Sequence, residues 1–187
     1  MNVVLVLVDI QNDYFPGGAM ELVGSEAAGG RGSVLLQAFR ERALPVVHIR
    51  HVATRPGATF FLPETQGAEI HECVRPIQGE PVFVKHFPNS FRETPLVEHL
   101  RGLNAHRLVI AGMMTHMCID STVRAAADLG FSCVLAGDAC AARTLVLGDI
   151  TVPAGQVQTA FLAALRGSFA EVRTVEEICT ALPSLIS

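Results

Sequence analysis

Apolar positions along the chain gather into short runs at 3–8, 46–49 (where His48 interrupts), 82–84, 108–111 and 133–136, with a weaker one at 169–172. A run that is apolar at every position suits a strand buried on both faces, whereas a strand with one wet face alternates. Between the runs, helical spacing predicts helices over about 33–43, 95–100, 118–129, 153–165 and 175–182. Ser33 reads as an N-cap and Gly130 as a C-terminal stop. Strand alternating with helix predicts an α/β fold whose parallel sheet is covered by helices on both faces. Two stretches fit neither pattern: 11–32, rich in Gly, and 52–79, rich in Pro and Gly and carrying Phe60, Phe61 and Leu62. Loops of this length inside a compact domain usually carry function. Gly29-Gly30-Arg31-Gly32-Ser33 does not directly leave a strand and lacks the spacing of a phosphate loop, so it reads as a flexible connection.

The 187 residues suit one domain, 1–187, with no repeat or linker to divide it. Half the residues are hydrophobic and 17% are charged, so part of the surface is expected to be covered in a homodimer or homotetramer. A net charge of -4 with no cluster of Lys or Arg argues against nucleic acid as a partner, and no apolar run is long enough to span a bilayer. A small-molecule substrate is the expected partner. The N-terminus enters its first strand with no positive leader, and the five cysteines form no CxxC pair. A cytoplasmic location with reduced thiols is therefore expected.

In open parallel sheets, ligands sit outside the carboxyl ends of the strands, so the residues leaving each strand hold the candidate chemistry. Here these are Asp9, Lys85, and the segment from Gly112 through Met113, Met114, Thr115, His116 and Met117 to Cys118. A thiol at a helix start beside an ammonium is expected to favour thiolate. Asp9 is then placed to accept the thiol proton and return it to a leaving amine, with Lys85 as electrostatic partner. Backbone N–H groups of the 113–118 turn would receive an oxyanion. Asp and Lys also serve turns, and a lone Cys also serves as a small buried apolar residue, so the trio alone leaves a structural role open.

Three segments carry a family resemblance: Val8-Asp9-Ile10-Gln11-Asn12-Asp13-Tyr14-Phe15; Lys85 with Asn89-Ser90-Phe91 and Thr94; and Gly112 to Cys118 with Ser121-Thr122 and Arg124-Ala125-Ala126. On these the sequence resembles the isochorismatase-like cysteine hydrolases, among them nicotinamidases, N-carbamoylsarcosine amidases and ureidoacrylate amidases. The resemblance implies a three-layer α/β/α sandwich around a six-stranded parallel sheet, assembled as dimers or tetramers. It also implies a catalytic triad of Asp9, Lys85 and Cys118, a cis Met113-Met114 peptide bond, and an oxyanion hole formed by the N–H groups of Met114 and Cys118. Nicotinamidases bind a metal through an Asp-x-His pair and a further His. No Asp lies between Asp13 and Asp120, and His48 and His51 fall on opposite faces of a strand, so neither a metal nor another cofactor is expected.

Tyr14, Phe15, Phe60, Phe61, Phe87 and Phe91 fall in loops facing the site, which suggests a small apolar pocket. The candidate substrate-binding residues are Phe15, His51, Phe61, Phe91 and His116. Gln11 and Asn12 are expected to hold the loop after Asp9, and Cys73, Cys133, Cys140 and Cys179 to pack. Hydrolysis of a small amide, ureide or carbamoyl C–N bond through a Cys118 thioester is the leading expectation. The alternative is a non-catalytic small-molecule-binding or assembly protein on the same scaffold.

Overall fold

The structure, a computed structural model, describes residues 2–186. Its elements in chain order are β1 (Asn2–Val8), α1 (Ser25–Arg40), β2 (Val46–His51), β3 (Val82–Lys85), α2 (Leu96–Gly102), β4 (Ala105–Met113), α3 (Asp120–Asp128), β5 (Ser132–Ala141), β6 (Leu145–Leu147), β7 (Ile150–Val152), α4 (Ala154–Leu165), β8 (Glu171–Arg173) and α5 (Val175–Ile186). Six strands form one parallel sheet in the order β3-β2-β1-β4-β5-β8. The unbroken apolar run of β1 has a direct physical reason. Val3, Leu5 and Leu7 enter the core under α1 and α5, while Val4, Val6 and Val8 enter the opposite core with side chains of α2 and α3.

Strand order reverses between β1 and β4, and this is where an open sheet leaves a crevice at its carboxyl edge. Val8 is in register with Gly112, so Asp9 and the turn to Cys118 leave the sheet side by side. Gly112 has φ +135°, and a Cβ there would lie 1.9 Å from the Val8 carbonyl oxygen. Only glycine permits so close an approach of the two backbones.

The long 52–79 connection is held by one short segment that follows Asp9. Gln11 bonds the backbone of His51 in both directions and the Ala68 carbonyl. Asn12 donates to the Gln66 carbonyl at 2.7 Å, and the Asp13 carboxylate accepts from the N–H groups of Phe61 at 2.6 Å and Ala19 at 3.1 Å. At the base of the loop, Glu80 accepts from Arg40 and pairs with the buried His48 at 2.8 Å. Burial pushes the Glu80 carboxyl up, but these bonds outweigh it and hold the group at about 2.

Two elements differ from the sequence reading. α1 begins eight residues before Ser33, which lies inside the helix, and Gly24 rather than Ser33 is its N-cap. The glycines that suggested a flexible connection serve close packing instead: a Cβ at Gly29 would sit 2.9 Å from the Phe15 ring, and one at Gly32 3.3 Å from Ile10. The antiparallel hairpin β6–β7 was not foreseen, although Gly148-Asp149 between Leu145-Val146-Leu147 and Ile150-Thr151-Val152 is a two-residue turn signal. Its Leu147 is 82% exposed. Among the described residues, no helix is long and apolar enough to cross a membrane.

The two kinds of glycine make a paired test. Gly130, at φ +91° with open space around it, should lose about 1 kcal/mol on substitution by alanine through backbone strain alone. Gly112→Ala adds a collision with β1 and should cost about 3 kcal/mol or more, read from urea unfolding of both variants.

Candidate active site

Lys85 ends β3 directly opposite His51, the last residue of β2. Its side chain and that of Asp9 are fully buried. The ammonium lies 2.7 Å from Asp9 Oδ2, 3.2 Å from Cys118 Sγ, 3.0 Å from His51 Nδ1 and 3.1 Å from the Phe87 carbonyl oxygen. Four acceptors thus surround three protons, and the weight of the contacts is free to shift toward whichever acceptor carries more charge. Burial pushes the Lys85 ammonium toward neutrality, but the Asp9 charge and then Cys118 outweigh it, so its pKa stands above the usual lysine value. Donor atoms of Asp9, His51 and Cys118 lie within 4.8 Å of one another, a spacing that a metal ion could use. The Lys85 ammonium touches all three and so already supplies a positive charge to each of them. His48 is engaged elsewhere with Glu80, as its opposite strand face implies.

Asp9 has φ +51°, a left-handed conformation rare outside glycine, and this turns the chain sharply at the end of β1. Cys118 lies in a π-helical turn, Thr115–Ile119, that leads into α3, and the Met113-Met114 peptide bond before it is cis. Ile119 N–H donates to the Met114 carbonyl at 3.2 Å. The Thr115 hydroxyl sits between the Ala141 carbonyl and Gln158 Oε1, which fixes the turn to β5 and α4. On the other flank Ser90 bonds Thr122 of α3 through both its N–H and its hydroxyl.

The expectation of a resting thiolate is overturned. Burial pushes the Cys118 thiol far up, the Asp9 carboxylate raises it further, and Lys85 recovers only part of the shift. The sulfur therefore rests protonated beside a carboxylate positioned to take the proton. That carboxylate is held by the Lys85 ammonium at 2.7 Å and hydrogen-bonds the Cys118 thiol.

Above the sulfur opens a cavity of about 150 Å³, with Tyr14, Phe60, Phe61, Met114 and Met117 as apolar walls and His51, Arg55 and His86 as polar ones. His51 and Phe61 thus occupy the places expected of them. Phe15, Phe91 and His116 do not. Phe15 stacks on the His71 ring at 3.6 Å, and its neighbour Tyr14, pointing the other way, takes the wall position. Phe91 packs against Phe131 in the core, because Ser90 fixes that segment onto α3. His116 lies two positions before Cys118, nearly opposite on a helical turn, and faces Phe161 of α4. Met117, His86 and Arg55 were missed, since no periodicity marks residues that line a loop-built wall. A wider groove of about 810 Å³ beside Phe131, Arg166 and Phe169 contains none of the candidate site residues.

Burial lowers the His51 imidazole to about 4, the nearby Asp9 charge opposing this and Lys85 adding to it. His51 is thus neutral at pH 7, and with Nδ1 accepting from Lys85 its proton belongs on Nε2. Between pH 6.5 and about 4 the unfolded chain binds a proton at this residue that the native chain refuses, so stability falls as pH falls. His51→Gln should flatten that part of the slope, measured as the change in urea midpoint between pH 7 and 5.

The Isochorismatase domain matches residues 3–177. The chain is 48% identical to YddQ of Bacillus subtilis, an uncharacterized isochorismatase family protein, over 94% of this chain and 98% of YddQ. A crystal structure from Oleispira antarctica, described as an isochorismatase hydrolase, superposes with a TM-score of 0.92 at 48% identity and covers 96% of each chain. Ureidoacrylate amidohydrolase RutB of Cronobacter sakazakii is 27% identical over 95% of this chain and 87% of its own length. With its sheet order, its switch-point cysteine and these relatives, the chain belongs to the isochorismatase family of hydrolases.

Proposed function

We propose that the protein hydrolyses a small amide, ureide or carbamoyl C–N bond through a thioester on Cys118. The observation that carries this reading is a single buried ammonium touching both a carboxylate and a cysteine sulfur that lines a ligand-sized cavity. Proton transfer from sulfur to Asp9 moves one negative charge between two partners of Lys85 and leaves the net charge of the trio unchanged. The thiolate then attacks the carbonyl carbon. The N–H groups of Met114 and Cys118 receive the oxyanion, and the neutral His51 offers Nε2–H to the substrate. Asp9 returns its proton to the leaving nitrogen, the amine departs, and a water deprotonated by Asp9 cleaves the thioester to release the acid and restore the thiol.

A cavity of 150 Å³ holds about five water volumes, so the acyl group it takes is a few carbons long. The likeness to an amidohydrolase supports C–N chemistry. The reading includes a small-molecule substrate and a cytoplasmic setting, the latter supported by the free thiols of all five cysteines. It also includes a homodimer or homotetramer, which the exposed Val146, Leu147 and Ile150 of β6–β7 support.

Under limiting iodoacetamide, Cys118 should react at least about tenfold faster than Cys73, Cys133, Cys140 or Cys179, because it lines a cavity and hydrogen-bonds both a proton acceptor, Asp9, and the Lys85 ammonium. Peptide mapping of the label decides it, and labelling no faster than at the half-buried Cys73 and Cys179 would count against an activated nucleophile. With an amide that releases ammonia or amine, Cys118→Ala should abolish turnover and Asp9→Asn should lower kcat by about 10² to 10⁴. A broad panel left unhydrolysed by a protein that nonetheless binds one of its members would favour the binding-protein alternative.

A further inference from the structure

Among the cavity-lining residues one carries a full positive charge, Arg55, and none is a carboxylate. Arg40, Arg50, Arg124 and Arg173 pair with Glu80, Glu69, Asp120 and Glu171, while Arg75, Arg101 and Arg166 among others form no ion pair among the described residues; what sets Arg55 apart is its place in the wall of this cavity. The Arg55 guanidinium has no hydrogen bond or ion pair among the described residues. In a chain of net charge -4, an exposed guanidinium in the wall of a cavity that no carboxylate lines gives that cavity an attraction for an anion from outside the chain.

The loop that carries Arg55 is itself anchored. Ala53 N–H donates to the Phe61 carbonyl at 2.8 Å, closing 53–61 into a short excursion with Arg55 near its tip. The returning end is pinned again where Phe61 N–H meets the Asp13 carboxylate. Ala58 N–H bonds back to the Arg55 carbonyl, and Gly57, at φ +77°, makes the tight turn between them. Arg55 therefore stands on a turn fixed at both ends and lines the same cavity as Phe60 and Cys118. Its charge also acts on His51, where it opposes protonation of the ring.

We infer that the substrate carries a carboxylate, that Arg55 receives it at the cavity mouth, and that the scissile carbonyl lies over Cys118. This rests on the hydrolase reading above and adds to it a substrate class: a small anionic amide, ureide or carbamoyl compound whose carboxylate is separated from the reacting carbonyl by a short apolar chain against Phe60 and Phe61. A planar guanidinium matches a carboxylate in two parallel hydrogen bonds, and a bond to a charged group at a partly exposed mouth corresponds to about a tenfold preference.

Two reagents of equal length and opposite charge test the inference without knowledge of the natural substrate. 2-Carboxyethyl and 2-aminoethyl methanethiosulfonate both form a disulfide with Cys118 by displacing a sulfinate, and both leave their charged group a few atoms from the sulfur. Each rate on the intact protein is divided by the rate with 2-mercaptoethanol, and the ratio of the two is compared among variants. The carboxylate reagent should be favoured about tenfold in the native protein. Arg55→Lys should retain most of the preference, Arg55→Gln should reduce it by about tenfold, and Arg55→Glu should reduce it further. The native preference should also shrink between 0.05 and 0.5 M NaCl, which a preference based on size would not do. A ratio that is the same in the native protein, Arg55→Gln and Arg55→Glu overturns the assignment of Arg55 while leaving Cys118 as an activated thiol. A Cys118 inert to both reagents removes the hydrolase reading, and this inference with it.

Discussion

A fully buried ammonium is the constraint around which the rest of the structure is arranged. Taken out of water, Lys85 is tolerable only with negative or strongly polar partners on several sides, and it finds them on three separate segments: Asp9 after β1, His51 at the end of β2, and Cys118 in the turn after β4. Those partners converge because strand order reverses between β1 and β4, which opens the carboxyl edge of the sheet at that place and nowhere farther along it. Truncating one partner would leave an uncompensated charge in the interior. The topology of the sheet and the chemistry of the site are therefore one requirement seen at two scales.

The same ammonium explains how a thiol so unwilling to ionise in isolation becomes serviceable. What matters for the proton transfer is the difference between charge on Asp9 and charge on sulfur, and Lys85 is in contact with both. A lowered resting thiol pKa is not needed. Selectivity for Cys118 over the other thiols then comes from its neighbours rather than from an exposed thiolate.

Much of this was legible in the chain itself. Apolar runs exposed the parallel strands, because burial on both faces is a local property of a strand, and residues that leave strands could be named by counting. Asp9, Lys85 and Cys118 were found in that way. The start of α1 was not, because glycines that disfavour a helix locally are required where it approaches Phe15 and Ile10, and that approach is tertiary. The thiol was misjudged for a similar reason: its nearest charges are visible in sequence, but its desolvation belongs to the whole fold. Direction within a loop was the least readable quantity. Tyr14 and Phe15 are adjacent, yet one lines the cavity and the other lies beneath α1.

The bonds by which Gln11, Asn12 and Asp13 hold the 52–79 connection share one property: every group they grip there is main-chain, the carbonyls of His51, Ala68 and Gln66 and the N–H groups of His51 and Phe61. Main-chain anchors are indifferent to the side chains between them. The segment that builds the cavity wall therefore behaves as an exchangeable cassette, open to mutation at most of its positions while its path over the sulfur is preserved. Descendants of such a scaffold would diverge first in what they accept and last in how they cleave it.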